Sequence, residues 1–268
     1  MTVEISSNHQ SIVLIGAGNV ATHLGNALHE AGCTIKMIYS RTQESAKELA
    51  ESIGCPYTTD ITSIDNDADI YIVSLKDSVL DSILPEIVKC NSKALYVHTA
   101  GSVSIDIWKG LTDRYGVLYP MQTFSKQRKV DFNNVHFFIE ANSKQDTDLL
   151  IRTASLLSEH VFEASSEQRK YLHISAVFAC NFTNHMYAIC EHLLTSQGLP
   201  FSAMLPLIDE TAEKVHHLSP VSAQTGPAQR DDHNIMNSHL DMLEEEPRIS
   251  ELYRLISEDI HKFATKGK

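Results

Sequence analysis

The chain has 268 residues, 43% hydrophobic and 21% charged, an ordinary globular composition that can bury one large core or two modest ones. Its 22 basic residues face 34 acidic ones, for a formal net charge of -12, and a surface of that sign repels phosphate backbones, so nucleic acid is not an expected partner. No apolar run is long enough to span a bilayer, and Met1–Gln10 lacks the basic start and apolar centre of a secretion signal, so no membrane association is expected.

Up to residue 165 the sequence alternates short β-rich runs with helical patterns. Ile12–Ile15 predicts a strand and Asn19–Ala31 a helix with Val20, Leu24, Ala27, Leu28 and Ala31 on one face. Thr34–Tyr39 predicts the second strand and Thr42–Ser52 the second helix. Strands at Asp69–Ser74, Ala94–His98 and Val117–Tyr119 follow, with helices near Ser78–Val88 and Ser104–Leu111 between them. Val135–Ile139, a helix over Lys144–Ser158 and a short strand at Val161–Glu163 complete this half. Strand–helix–strand repetition at this interval implies parallel pairing with right-handed crossovers.

From Glu167 to Ser196 no strong helix breaker occurs, and Ile174–Cys190 is mostly apolar, which predicts one long helix. Helices at Phe201–His217, Asp232–Leu243 and Arg248–Ala264 follow, broken by Pro220, Gly226 and Pro227. The expected architecture is an α/β, doubly wound, mainly parallel sheet over residues 1–165, then a smaller all-α domain over 166–268. So apolar a long helix in so small a domain predicts burial against a second copy, a homodimer through the helical domain.

The five cysteines are odd in number and scattered without a C-x-x-C pair, which predicts free thiols in a reducing, cytoplasmic setting. The histidines carry no H-E-x-x-H pattern, and the adjacent His216-His217 point about 100° apart on a helix, so no metal site is expected. Lys126, Arg128 and Lys129 form a small basic cluster that reads first as solvated loop charge.

The first strand runs into Gly16-Ala17-Gly18-Asn19-Val20-Ala21. This G-x-G-x-x-A turn lets a strand bend sharply into a helix whose free N–H groups and partial positive charge meet a pyrophosphate. Gly18 keeps side chain away from the phosphates, and Ala21 lets the helix pack close. At the end of the second strand an NAD-preferring site carries Asp or Glu for the ribose 2′-hydroxyl. Here Ser40-Arg41-Thr42 stands instead: no carboxylate, a guanidinium fork and two hydroxyls, a set suited to a 2′-phosphate. The expected cofactor is therefore NADP(H). Ser74-Leu75-Lys76 after the fourth strand and Thr99-Ala100-Gly101 after the fifth belong to the same sheet edge, and so do Tyr119 and Gln122 after the sixth.

Taken together, G-A-G-N-V-A, S-R-T, V-S-L-K-D, H-T-A-G-S and L-Y-P-M-Q-T-F resemble the Rossmann-like oxidoreductases that carry a C-terminal domain of unknown function. That family is similar to the F420-linked NADP oxidoreductases, to pyrroline-5-carboxylate reductase and to the 6-phosphogluconate dehydrogenase group. The likeness extends into the helical half at His173–Phe182 and Thr225–Asp232. It implies an NADP-dependent transfer of hydride to or from a small carbonyl or imine. It also implies an active-site Asn at Asn181; relatives in the hydroxyacid dehydrogenase group carry a catalytic Lys four residues before that Asn, and the position is Val177 here. His173, eight residues before Asn181, is the acid candidate on roughly the same helix face, because imidazole titrates near neutral pH. Gln122, Asn184 and Arg230 are the candidate substrate contacts. The Val177 departure keeps a second reading open, a protein that binds NADP(H) as sensor or scaffold without turnover.

Overall fold

A computed structural model describes residues 10–266. Its centre is an eight-stranded sheet ordered β3-β2-β1-β4-β5-β6-β7-β8. The strands are β1 (Ser11–Ile15), β2 (Thr34–Tyr39), β3 (Tyr57–Thr58), β4 (Ile70–Val73), β5 (Leu95–His98), β6 (Tyr115–Met121), β7 (His136–Ala141) and β8 (Val161–Glu163). Pairing is parallel except between β6 and β7. Segment 122–135, which joins those two, contains no crossover helix, so β7 starts at the edge where β6 ends and must run back.

Alternation along the buried strands feeds two cores. Ile12, Leu14, Ile72, Val97, Leu118 and Phe137 point to one face, closed by α1 (Asn19–Glu30), α2 (Gln43–Ile53) and α4 (Lys144–Ser155). Val13, Ile15, Tyr71, Val73 and Tyr96 point to the other, with α3 (Asp77–Ile87) and the fully buried Trp108. The expected α/β sheet with a helical C-terminal region is what forms. Two local expectations are corrected. Ser104–Leu111 yields only a short 3-10 turn, Ile105–Trp108, and the two-residue strand β3 was not predicted.

The helical run Ser166–Ser196 is also not uniform. It consists of α5 (Ser166–Ala176), a π-helical stretch Val177–Phe182 and α6 (Thr183–Ser196). Contacts divide the chain into compact units at Asn181/Phe182 and not near residue 165. α5 stays with the sheet because Arg169, fully buried, donates to Glu140 Oε2 on β7 at 2.6 Å and to the carbonyls of Val103 and Ala100 at 3.0 and 3.4 Å. Its first turn is fixed by a capping box between Ser165 and Gln168, and Ser166 Oγ accepts from Ile105 N.

The second unit contains α6, α7 (Leu205–His217), α8 (Pro220–Ala223), α9 (His233–Met242) and α10 (Pro247–Lys266). Ala228 and Leu243 are its only buried residues among those described. No helix of the described residues is long and apolar enough to cross a membrane.

Candidate functional site

The loops expected at the carboxyl edge of the sheet are laced together there by the backbone. Gly16 N donates to Tyr39 O at 2.7 Å, Ser74 N to Ile15 O at 2.8 Å and Thr99 N to Val73 O at 3.1 Å. Thr99 Oγ1 donates to Ser74 Oγ at 3.1 Å, joining the loops after β4 and β5.

Two glycines of the first loop serve different needs. Gly16 has φ +116°, and a Cβ there would lie 2.3 Å from Ser74 O, so only glycine fits the turn. Gly18 is exposed, and a Cβ there would meet nothing within 4 Å. Gly18 is also the N-cap of α1, with no side-chain cap and no acidic residue in the first turn. The first turn therefore has no side-chain cap for its free N–H groups, an arrangement that fits an anion such as a pyrophosphate. Ala17 is buried, Asn19 exposed and Val20 half-buried.

At the tip of β2, Ser40 is buried and its Oγ accepts from Thr42 N at 3.3 Å, while Arg41 and Thr42 are exposed. Among the described residues the Arg41 side chain makes no ion pair or hydrogen bond. Lys76 is exposed at the start of α3, beside half-buried Ser74 and Leu75.

Segment 122–131 crosses the same edge. Asn19 Nδ2 donates to Phe124 O at 2.9 Å, His23 Nε2 lies 2.9 Å from Ser125 O, and Lys126 pairs with Glu48 of α2 at 2.8 Å. Lys126 is thus tied down, whereas Arg128 and Lys129 are exposed. Gln122 Oε1 turns back to accept from Thr123 N at 2.8 Å.

The ends of β5 and β6 make two contacts that the sequence did not show. His98 is fully buried, stacked on Trp108 at 6.2 Å between centroids, and its Nδ1 accepts from Ala100 N at 3.2 Å. Burial, helped by the nearby Arg169 charge, pulls its pKa down to about 3, so the ring is neutral and, with Nδ1 accepting, carries its proton on Nε2. Tyr119, at the end of β6, packs on Gly101 so tightly that a Cβ there would lie 2.6 Å from Cζ and 2.9 Å from the hydroxyl. Nothing in the spacing of these residues betrays either contact. Both arise from strands joined through the sheet.

The His173 ring meets the Tyr119 ring edge-on, with centroids 6.4 Å apart. In a straight α-helix eight residues overshoot two turns by about 80°, and the wider π turns between Val177 and Phe182 take up much of that surplus. His173 is half-buried and Asn181 exposed. Asn184 and Arg230 belong to the second unit, and both are exposed.

The sequence relations agree with this architecture. Residues 11–101 match the family of coenzyme F420-dependent NADP oxidoreductases, and residues 135–260 match a domain of unknown function, DUF2520. A crystal structure described as a candidate NADP oxidoreductase from Bacteroides fragilis is 54% identical, with a TM-score of 0.92 over 96% of this chain and 100% of that one. The chain belongs to the Rossmann-like NADP oxidoreductase family with a DUF2520 C-terminal domain.

More distant likenesses show the shared fold. An imine reductase from Myxococcus stipitatus, solved in complex with NADP+, is 15% identical with a TM-score of 0.66 over 96% of this chain and 93% of that one. A pyrroline-5-carboxylate reductase from Coxiella burnetii is 16% identical with a TM-score of 0.60 over 97% and 98%. None of the curated proteins compared matches the chain.

Proposed function

We propose that the chain is an NADP(H)-dependent oxidoreductase that moves hydride between the nicotinamide and a small carbonyl or imine, and that it works as a homodimer. The observation that carries the cofactor reading is the uncapped start of α1 at Gly18, open to solvent, beside an unpaired Arg41 where an NAD site would have an acid. Gly16, Ala17, Gly18, Asn19 and Val20 would cradle the pyrophosphate; Ser40, Arg41 and Thr42 would take the 2′-phosphate. Ser74, Leu75, Lys76, Thr99, Ala100 and Gly101 would line the way to the nicotinamide. Bound there, NADPH supplies a hydride with its electron pair.

His173 and Asn181 are the polar groups of α5 and the π stretch proposed for the substrate side, with Gln122, Asn184 and Arg230 as further contacts. The imine reductase likeness supports an imine among the acceptors. A dimer would cover the apolar side chains that the second unit leaves exposed, such as Met242 and Leu207. Val177 in place of the lysine used by hydroxyacid dehydrogenases favours the second reading, NADP(H) binding without turnover.

Calorimetry tests the cofactor assignment. NADPH should bind more tightly than NADH, and Arg41→Ala should remove roughly 10–150-fold of affinity for NADPH alone, the worth of a charge-assisted bond to phosphate. Equal affinities in the wild type would end the NADP assignment. NADPH oxidation against cyclic imines and 2-oxo acids then separates the enzyme from the sensor.

A further inference from the structure

Four buried tyrosines belong to the sheet, Tyr39, Tyr71, Tyr96 and Tyr119, and two of them have hydroxyls that are satisfied by the protein. Tyr71 donates to Asp65 O at 2.6 Å, and Tyr96 donates to Asn91 O at 3.0 Å while accepting from Asn91 N at 3.1 Å. Tyr39 and Tyr119 have hydroxyls with no hydrogen-bond partner among the described residues, and neither oxygen is fully buried, so both reach solvent although the rings are covered. A hydroxyl that the protein leaves unbonded and accessible is free to donate to a ligand.

Tyr119 sits at the carboxyl end of β6, the edge to which the α1 N-terminus and the β4 and β5 loops also belong. Its hydroxyl lies against Gly101, in the loop whose small residues let a flat ring approach. A larger residue at 101 would displace the phenol. His173 stands edge-on to the ring, and Arg169, fixed by Glu140, contributes positive charge nearby. Burial raises the Tyr119 pKa above its usual value and Arg169 only partly opposes this, so the phenol keeps its proton at neutral pH.

We propose that Tyr119 is the proton donor of the reaction, its hydroxyl bonding the substrate heteroatom beside Gly101. The inference rests on the hydride-transfer reading above. Hydride and its electron pair reach the carbon of a C=O or C=N group. The π pair of that bond moves to oxygen or nitrogen, which takes the proton from Tyr119 Oη. The nicotinamide is left oxidised, and water returns a proton to the phenolate past His173, which is half-buried beside the ring. This assigns the donor role left open by Val177 to a strand and not to the long helix.

The test uses the full chain with fluorotyrosine incorporated, the Tyr119 resonance being identified by its loss in Tyr119→Phe. Adding NADP+ should move that resonance. Tyr119→Phe should keep wild-type NADPH affinity and melting temperature while kcat with imines or 2-oxo acids falls about 10²–10⁴-fold, the usual cost of removing a general acid. A resonance that stays still although calorimetry shows NADP+ bound, or a Tyr119→Phe variant with wild-type kcat, overturns the proposal and leaves the oxidoreductase reading intact. If neither NADP+ nor NADPH binds, both fall together. Should the wild type turn over nothing in the panel, the resonance alone decides.

Discussion

In the unit up to Asn181, both faces of the sheet are closed by helices, and side chains as large as Trp108, Tyr71 and Phe137 are fully buried. In the unit from Phe182 onward, helices of comparable length leave Leu207, Met242 and Phe263 more than half exposed. An open apolar hollow of about 310 Å³ in this unit is lined by Met186, Ile189, Leu193, Leu243 and Ile256. The first unit reads as a finished core whose rim is free for chemistry. The second reads as half of a core, and that contrast is the strongest argument for a second copy.

Breaking the finished core should have the largest effect. Phe137→Ala empties a fully buried site between the sheet and its helices, and should cost about 3–5 kcal/mol of unfolding free energy. Denaturant melts should show the same loss at every protein concentration. A loss that shrinks on concentrating the protein would mean that this core too depends on assembly.

The second unit answers differently. Leu207, on the second unit's α7, is 62% exposed, and a substitution that stays in water changes stability by no more than about 0.5 kcal/mol. If a second copy covers it, Leu207→Asp should cost about 1.5–3 kcal/mol per protomer and make the melting temperature depend on concentration. Light scattering should then report a smaller particle than the wild type. A variant that melts and scatters like the wild type would show that α7 faces solvent.

The same contrast explains what was legible in the sequence. Ile12–Ile15 and Ile70–Val73 are buried on both faces, so continuous apolar runs mark them as parallel strands, and the G-x-G-x-x-A turn between strand and helix marks the edge proposed for the cofactor. The π stretch was not legible: Val177–Phe182 has ordinary helical residues, and only the backbone shows the wider turn. Nor were the burial of Arg169 and the packing of Tyr119 on Gly101. Arg169 looks like any surface charge of an amphipathic helix until Glu140 and the Val103 carbonyl, 29 and 66 residues away, close around it. Long-range pairing of that sort leaves no periodic mark.

The gentlest probe, measured per pH unit, is His98. Acid can reach the two units by different routes. In the second unit, His192 and His217 are exposed beside Glu246 and Glu213 at 2.7 and 3.0 Å, and exposed pairs of this kind contribute little. In the first, His98 is buried, and burial with the Arg169 charge holds its pKa near 3 against an unfolded value of 6.5. Between those two values the unfolded chain binds a proton that the folded chain refuses, so unfolding gains as pH falls. The stability that neutral His98 contributes is therefore complete above pH 6.5 and is lost progressively toward pH 3. The slope can reach about 1.4 kcal/mol per pH unit, that of one proton. His98→Asn keeps an acceptor for Ala100 N but cannot titrate, so its stability should fall less steeply over this range than the wild type's. Parallel pH profiles for the two proteins would mean that His98 takes up its proton in the folded state, and the buried, neutral ring beside the cofactor loop would have to be abandoned.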